Sequence, residues 1–313
     1  MASPVKKFRS DRLGAAAAVV ATLLWSSAFV SARYLLGDSR RIDPMTLVFF
    51  RFAIGAAVVF GVAKLFRAPL RLESAGQFRG VIPVAFFLYF LMSFLFFIGQ
   101  RWTSATTSAL FIESGPALLV IVWKLLCRRP TGRDEIAAVL LGGLGCMFVL
   151  NIISASGIHF GDTSRFGQLL LLCAAISWVI GSVQGRKLMN CRNPLAVTGW
   201  CQLVSALMMV PLLVIFHREI ILPHEAAAWG AVLAMGIFPT ALAFILWGYA
   251  MPRLELWKLS LIQNLTPVFT LAGAWMILDE RLTWFNLIGM ALVLTALAIP
   301  KRRSGGGGAG RIP

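Results

Sequence analysis

The chain has 313 residues, of which 58% are hydrophobic and only 13% charged, and its formal net charge is +16. Its mean hydropathy is +0.80. Soluble domains are about 45–50% apolar and about 25% charged. This composition therefore excludes an ordinary soluble domain and favours a chain that crosses a membrane repeatedly.

Ten apolar segments follow one another with short breaks, and each approaches the roughly 20 residues that cross a bilayer. In chain order they lie near 13–35, 45–65, 80–99, 104–125, 134–152, 166–185, 195–216, 228–250, 256–278 and 284–300. The first segment has the basic flank of a signal peptide, but its length and its counterpart at 166–185 favour a retained helix. The sequence predicts an all-α polytopic membrane protein with ten transmembrane helices.

Lysine and arginine are distributed unevenly among the breaks between these segments. With the N-terminus placed in the cytoplasm, the cytoplasmic side carries 21 of them and the opposite side 7, while Arg51 lies inside a span. An excess of basic residues on one side is typical of cytoplasmic loops. We therefore expect both termini to be cytoplasmic, and we attribute the net charge to topology rather than to a nucleic-acid partner.

The two halves of the chain resemble each other. Residues recur 153 positions apart, with Gly14, Ala21, Trp25 and Arg33 matching Gly167, Ala174, Trp178 and Arg186. Two further matches are Gly80-x-x-Pro83 with Gly236-x-x-Pro239, and the stretch Glu113–Pro116 with Asn264–Pro267. We predict two repeats of five helices, 13–152 and 166–300. Because five is odd, the second repeat must be inverted, and inverted repeats place a binding site at their interface.

Two charged residues lie inside predicted spans, Arg51 in the second and Glu113 in the fourth. An unpaired charge at a helix centre costs about 2.5–3.5 kcal/mol on insertion scales. The two side chains lie at similar depth, so they can form a static ion pair, or Arg51 can extend to the interface. The alternative is that one of them faces a cavity, with Arg51 holding a carboxylate or Glu113 carrying a coupled proton.

Two prolines occupy matching places inside predicted spans, Pro116 in the fourth and Pro267 in the ninth. Each removes a backbone hydrogen bond and kinks its helix, and the freed groups are tolerated where a cavity or neighbouring groups satisfy them. Gln263 and Asn264 add polar side chains beside Pro267. We predict that the two kinks shape the cavity and that these amides line it.

Aromatic residues are the third set of candidates. Trp25, preceded by a leucine and followed by Ser26, matches Trp178 in the second half, and both lie in mid-helix rather than at the interface that tryptophan prefers. Tyr89 and Trp247 can add aromatic surface with a polar tip. These residues are interpreted either as ordinary packing or as the lining of a substrate cavity.

The sequence lacks the patterns of several other classes of site. It has no P-loop, no dinucleotide-binding glycine motif and no HExxH, and its three histidines fall outside the predicted spans. The five cysteines show no metal-ligand spacing. We expect no metal, no cofactor and no enzymatic activity, and we give a lipid-modifying membrane enzyme little support.

Several short motifs, taken in order, resemble the EamA-type permeases of the drug/metabolite transporter superfamily over residues 13–300. They are residues 24–29 (LWSSAF), Pro44, residues 50–52 (FRF), residues 105–116, residues 279–283 (DERLT) and Gly289. The first repeat ends with residues 128–131 (RRPT), without the acidic residue. In this resemblance Arg51 matches the arginine of the second helix, whereas Glu113 departs from the small or apolar residues common at its position.

The resemblance implies a ten-helix basket with a central cavity that works by alternating access without ATP. The expected function is export of amino acids or related small metabolites across a bacterial inner membrane, by a monomer or weak dimer, with a proton as a candidate coupling ion. Efflux of drugs or quaternary cations, metabolite uptake and a passive channel are the alternatives.

Overall fold

The structure of the protein is a computed structural model, and it describes residues 4–36, 41–70, 75–100, 102, 133–150, 152–154, 157–158, 165–215, 221–278 and 283–299. The predicted fourth span, 104–125, lies outside these ranges, and so do Glu113 and Pro116. Helices occupy the other nine predicted spans.

The described chain is helical almost throughout. The first half contains α1 (Pro4–Leu36), α2 (Pro44–Leu65), α3 (Ala75–Val84), π1 (Ala85–Leu91), α4 (Met92–Gln100) and α5 (Arg133–Val149). The second half contains α6 (Arg165–Cys191), α7 (Pro194–Ile215), α8 (Ala226–Met235), π2 (Gly236–Leu242), α9 (Ala243–Ala250), α10 (Leu256–Gln263), α11 (Leu265–Leu278) and α12 (Trp284–Ala298). Between α5 and α6, the two-residue strands β1 (Ile153–Ser154) and β2 (Gly157–Ile158) pair antiparallel.

Five helical segments among the described residues are long and apolar enough to cross a membrane, which takes about 20 residues. They are Pro44–Leu65, Phe78–Gly99, Arg165–Asn190, Pro194–Ile215 and Ala226–Ala250. Shorter apolar helices cover Arg12–Ala28, Ile136–Val149 and Trp284–Ala298. The composition and the length of these helices establish a largely helical fold suited to a membrane.

Two of the long segments contain a wider π-helical turn in the middle. The π1 and π2 segments are seven residues each, and they begin 151 positions apart. A proline, Pro83 just before π1 and Pro239 within π2, removes a backbone donor at each place. The Gly-x-x-Pro motifs are 156 positions apart, however, so they do not fall at matching places relative to the two π segments.

The long segments pack as antiparallel pairs across the two halves. Near the start of α1, a methyl group placed on Gly14 would lie 3.0 Å from Cβ of Arg253, whereas further along α1 the Trp25 ring meets Phe244. The α3–π1–α4 segment runs against α6 in the same manner. A methyl group on Gly181 would lie 2.5 Å from the backbone nitrogen of Leu88, so glycine permits this helix crossing. Gly181 of the Gly181-x-x-x-Gly185 sequence thus serves close helix packing, as small residues in such motifs do.

The helices α2 and α7 are matched in length and in capping. Both have 22 residues and begin with proline. The Asp43 carboxylate accepts hydrogen bonds from the first turn of α2, and the Asn193 side chain accepts one from Leu195. Asp43 N–H also donates to the carbonyl of Ile221 after α7, while Asn193 Nδ2 donates to the carbonyl of Pro69 after α2. The start of α2 is therefore hydrogen-bonded to the segment after α7, and the start of α7 to the segment after α2.

The helices α5 and α12 meet through glycine. A methyl group on Gly145 would lie 2.8 Å from the Gly289 carbonyl oxygen, and one on Gly289 would lie 2.6 Å from the Gly145 carbonyl oxygen. Asn286, which also forms the capping box of α12 with Thr283, donates from Nδ2 to the Val149 carbonyl at 3.0 Å. These contacts join the last helix of the first half to the last helix of the second.

Candidate functional site

Two tryptophans at matching positions of the two halves contact each other within the largest group of buried apolar residues described. The ring centroids of Trp25 in α1 and Trp178 in α6 are 5.6 Å apart, at an interplanar angle of 78°. Trp178 is buried and Trp25 is partly buried. The sequence placed both residues in mid-helix, and the structure brings them together.

Other aromatic rings surround this contact. The Trp25 centroid is 4.9 Å from that of Trp247 and 5.4 Å from that of Phe244, and Phe244 lies 4.6 Å from Tyr89. We call Trp25, Tyr89, Trp178, Phe244 and Trp247 the aromatic cluster. The four sequence candidates among them therefore converge, and Phe244, which had no motif to mark it, fills the middle.

The aromatic cluster contains two buried polar atoms, the Tyr89 hydroxyl and Trp247 Nε1. The Tyr89 hydroxyl has the Thr198 side chain beside it, whereas Trp247 Nε1 has no hydrogen-bond partner among the described residues. Tyrosine and tryptophan usually find a hydrogen-bond partner when they are buried, and an unsatisfied buried group costs about 1–3 kcal/mol. The cluster therefore combines ring faces with buried polar groups, of which Trp247 Nε1 is a donor left without an acceptor in the described part of the chain.

Arg51 belongs to a hydrogen-bonded chain that reaches the π2 segment. Its Nε donates to Thr240 Oγ1 at 3.1 Å, and the Thr240 hydroxyl donates to the Met235 carbonyl at 2.8 Å. Pro239 cannot donate an N–H in this turn, and the Thr240 hydroxyl adds a side-chain hydrogen bond to the Met235 carbonyl at the start of the π segment. Thr240 was not a sequence candidate, although its position directly after a proline is a signal that could have suggested it.

Gln202 of α7 contributes to the same polar region. Its Nε2 donates to the Thr240 carbonyl at 2.9 Å, while its Oε1 is buried without a hydrogen-bond partner among the described residues. Gly55 of α2 faces this oxygen, and a methyl group there would come within 2.5 Å of it. We call Arg51, Gln202 and Thr240 the polar triad.

The corresponding place in the other half carries an uncharged residue. By the offsets of 150 between α2 and α7 and 151 between the π segments, Cys201 matches Arg51, and Tyr89 matches Thr240. Cys201 lies beside Tyr89, and the Phe52 ring is 5.8 Å from the Tyr89 ring. The two halves thus use the same contact position with different chemistry, a guanidinium in one and a thiol in the other.

Ser26 is buried but directed into its own helix. Its hydroxyl donates to the Leu23 carbonyl at 2.6 Å, and Ser27 does the same to Leu24. Serine and threonine in helices often bond the carbonyl one turn back in this way. Ser177, beside Trp178, instead reaches across to the Phe87 carbonyl in π1 at 2.7 Å.

The predicted polar kink in the ninth span is a true interruption of the helix. The helix α10 ends at Gln263, and α11 begins at Leu265 after Asn264. Because Pro267 cannot donate to the Gln263 carbonyl, the Thr266 hydroxyl does so at 2.8 Å. Asn264 packs against Gly142 of α5 and carries a buried side-chain oxygen without a hydrogen-bond partner among the residues described.

Glu113 and Pro116, both predicted to line or shape the cavity, lie outside the described residues. Across the described ranges, no group of three or more His, Cys, Asp or Glu side chains is placed to hold a metal ion. What the described site offers is aromatic surface, hydrogen-bonding groups and one guanidinium.

Comparison with known proteins identifies the family. The chain matches the EamA-like transporter family over residues 12–151 and again over 165–299. It is 22% identical to the uncharacterized transporter YyaM of Bacillus subtilis (strain 168) over 274 residues, which cover 87% of this chain and 88% of the relative. It is 24% identical to a probable amino-acid metabolite efflux pump of Escherichia coli (strain K12) over 294 residues, covering 90% and 92%.

A solved crystal structure has the same fold, with a TM-score of 0.76 at 22% identity over 91% of this chain and 95% of the other. Relatives and family are transporters rather than enzymes, and the expected resemblance to EamA-type permeases is confirmed. This chain is a membrane protein that belongs to the EamA-like transporter family.

Proposed function

We propose that this transporter is a secondary, ATP-independent exporter of amino acids or related small metabolites. Two inverted units, 13–152 and 166–300, would move against each other around a central site, exposing it to the two sides of the membrane in turn. The unit boundaries, the ten spans and the cytoplasmic placement of both termini belong to this proposal, as does a location in a bacterial inner membrane.

The contact between Trp25 and Trp178 carries the proposal. When two units are related by a two-fold axis, a residue can touch its own counterpart only near that axis. Binding sites of repeat transporters lie near the bilayer midplane at this interface. The 5.6 Å separation of these rings therefore supports a central site lined by aromatic side chains.

The pairing of the helices supports the inversion of the second unit. The α1 helix runs antiparallel to α8–π2–α9, and α6 runs antiparallel to α3–π1–α4. These two pairs would be exchanged by a two-fold rotation. The reciprocal links from Asp43 to Ile221 and from Asn193 to Pro69 follow the same relation.

The direction of transport is proposed from the relatives, since two that match nearly the whole chain are named probable amino-acid metabolite efflux pumps. Coupling to protons through Glu113 is a further part of the proposal, because this is an acidic residue inside a predicted span. Reduced but measurable transport in Glu113→Gln, with the pH dependence of the unaltered protein, would argue against that coupling.

Efflux of quaternary cations is the second candidate. Aromatic faces attract cations within about 6 Å of the ring centroid, and the aromatic cluster supplies several such faces. Arg51 opposes this function, because its positive charge would repel a cation. Its guanidinium bonds Thr240, which lies one helical turn from Phe244 of the aromatic cluster. Uptake by the same fold and passive flux are less favoured alternatives.

Counterflow in proteoliposomes, with amino acids, nucleosides and cationic drugs as substrates, tests the proposal. We expect saturable uptake of an amino acid that increases when the same compound is loaded on the opposite side. Trp25→Ala should abolish it, whereas Trp275→Ala should not, because Trp275 is 52% exposed on the outer surface of α11. Flux that rises linearly with concentration would instead indicate a channel, and counterflow confined to quaternary cations would favour the second candidate.

A further inference from the structure

We infer that Arg51 binds a carboxylate group of the transported molecule, so that the substrate is a small organic monoanion or zwitterion with an apolar side group. This inference deepens the proposed function and rests on it, because it assigns a ligand class to the same central site. It is carried by three observations: the position of Arg51 on its helix, the unused hydrogen-bond donors of its guanidinium, and the uncharged residue at the matching position of the other half.

Arg51 lies on the inward face of α2. Its neighbours on that face, Leu47, Val48 and Phe52, are at most 1% exposed, and Gly55 is buried as well. Arg51 itself is only partly buried. Ile54, one turn further along, is partly buried as well. The guanidinium therefore lies at the edge of this buried face and keeps accessible surface there.

The guanidinium has unused hydrogen-bonding capacity. Of its five N–H donors, the Nε–H bonds Thr240, and the two terminal nitrogens form no hydrogen bond with any described residue. No carboxylate in the described ranges contacts it. A charge at a helix centre is expensive unless paired, and the flat, forked guanidinium matches a carboxylate with two parallel hydrogen bonds.

The equivalent position in the other half shows that the fold itself does not need a charge here. Cys201 occupies that place, beside Tyr89, and its thiol bonds the Val81 carbonyl at 3.8 Å. A small neutral residue thus suffices for the helix contact between α7 and π1. The charge at Arg51 is therefore an added feature of one half, and a feature that breaks the symmetry is suited to a substrate that is itself asymmetric.

The surroundings of the guanidinium indicate the rest of the ligand. The Phe52 ring centroid is 5.3 Å from the guanidinium carbon. The Phe52 ring contacts the Tyr89 ring, which contacts the Phe244 ring, which in turn contacts Trp25. Apolar ring surface thus begins directly beside the charge. Because Arg51 is the basic residue in the middle of the described spans, a single negative charge fits better than the double charge of a phosphate.

Ligand-induced stabilisation of the purified full-length chain tests the inference. The probes are the L-amino acids, their amides, and 3-phenylpropanoate, which has a ring and a carboxylate but no amino group. We expect the acids to raise the melting temperature and the amides not to. Arg51→Gln should raise the apparent Kd of the best acid by about tenfold to a hundredfold, the loss expected for charged hydrogen bonds, with Arg51→Lys in between.

Thr240→Val is the matched control, since it removes the hydroxyl that positions Arg51 and keeps the guanidinium. A smaller loss of affinity in Thr240→Val than in Arg51→Gln supports the inference, and an equal loss in both overturns it in favour of a structural link. Two results on the unaltered chain also overturn it without relying on a variant. They are no stabilisation by any acid, and stabilisation by the amino-acid amides equal to that by the acids.

Glu113 is the remaining alternative partner for the Arg51 guanidinium. If the double variant Arg51→Gln, Glu113→Gln binds the acids as the unaltered protein does, the two residues form a static ion pair and the inference fails. Saturable counterflow of a neutral amide would overturn the carboxylate assignment while leaving a secondary transporter in place, whereas the absence of any flux would overturn the proposed function itself.

Discussion

Trp25 and Trp178, at matching positions of the two halves, meet edge to face with their ring centroids 5.6 Å apart. Aromatic pairs in this arrangement contribute about 0.5–1.5 kcal/mol beyond the burial of their area. Each ring also contacts Phe244, so the pair is part of a larger packed unit. A molecule that enters between the two tryptophans would touch both halves at once, which is what coupling between binding and movement of the halves requires.

A double-mutant cycle measures this contact. We expect Trp25→Ala and Trp178→Ala to be non-additive in the free energy of unfolding, with a coupling of about 0.5–1.5 kcal/mol. Thermal or chemical unfolding of the four variants in detergent gives the value. Trp25→Ala combined with Trp275→Ala is the control and should be additive, because Trp275 lies on the exposed surface. Additive effects for Trp25 and Trp178 would contradict the direct contact.

The π1 segment depends on side chains from other helices. Ser177 donates to the Phe87 carbonyl at 2.7 Å, and Ser205 donates to the Ala85 carbonyl at 3.0 Å. Removing the Ser177 hydroxyl leaves a backbone acceptor in π1 without that donor, so we expect Ser177→Ala to lower the free energy of unfolding by about 1–3 kcal/mol.

Ser27→Ala is the control for that change, since the Ser27 hydroxyl bonds a carbonyl of its own helix and its loss should cost under about 0.5 kcal/mol. Equal unfolding midpoints for the two variants in the same detergent would show that π1 does not need the bond. Selective loss in Ser177→Ala, together with faster amide hydrogen exchange in residues 85–91, is the expected result.

Glycine is needed at one position of the α6 motif and not at the other. A methyl group on Gly181 would come within 2.5 Å of the Leu88 backbone, whereas one on Gly185 would be 3.5 Å from its nearest neighbour, Val84. Overpacking of this kind costs about 1–3 kcal/mol, while alanine gains about 0.5–1 kcal/mol over glycine inside a helix. We expect Gly181→Ala to destabilise the protein and Gly185→Ala to leave it unchanged or stabilise it. Reversed unfolding midpoints would contradict this helix crossing.

The parts of the fold that the sequence predicted are those that depend on local pattern. Long apolar runs fix where helices occur, and the repeat pairs Trp25 with Trp178. The two π segments could not be predicted in this way. They depend on donors such as Gln202 and Ser205, which lie more than 30 residues away from the carbonyls they bond.

The residues of the candidate site also differ in whether the local sequence pattern marks them. Arg51 was identified because a charge in an apolar span is conspicuous, but its partner Thr240 was not, since a threonine is unremarkable in such a helix. Phe244 was missed for a similar reason, as one phenylalanine among the 23 of the chain. Ser26 was included because it follows Trp25, yet its hydroxyl turns back to Leu23, a choice that depends on the rotamer and not on the sequence pattern.

The proposed inversion predicts which sides of the membrane two exposed residues occupy. Phe66 directly follows α2 and Leu222 follows α7, and they are 74% and 41% exposed. Since α2 and α7 are equivalent helices, inversion puts these residues on opposite sides, with Phe66 in the cytoplasm and Leu222 outside. Parallel repeats joined by the same loops would put both on one side.

Cysteine labelling in intact cells decides between these arrangements. In a variant that lacks the five native cysteines, Leu222→Cys should react with a membrane-impermeant thiol reagent in intact cells. Phe66→Cys should react only after the membrane is permeabilised, which also serves as the control for its accessibility. Labelling of both residues in intact cells, or of neither, would contradict an inverted second unit, and labelling of Phe66→Cys alone would reverse the orientation of the whole protein.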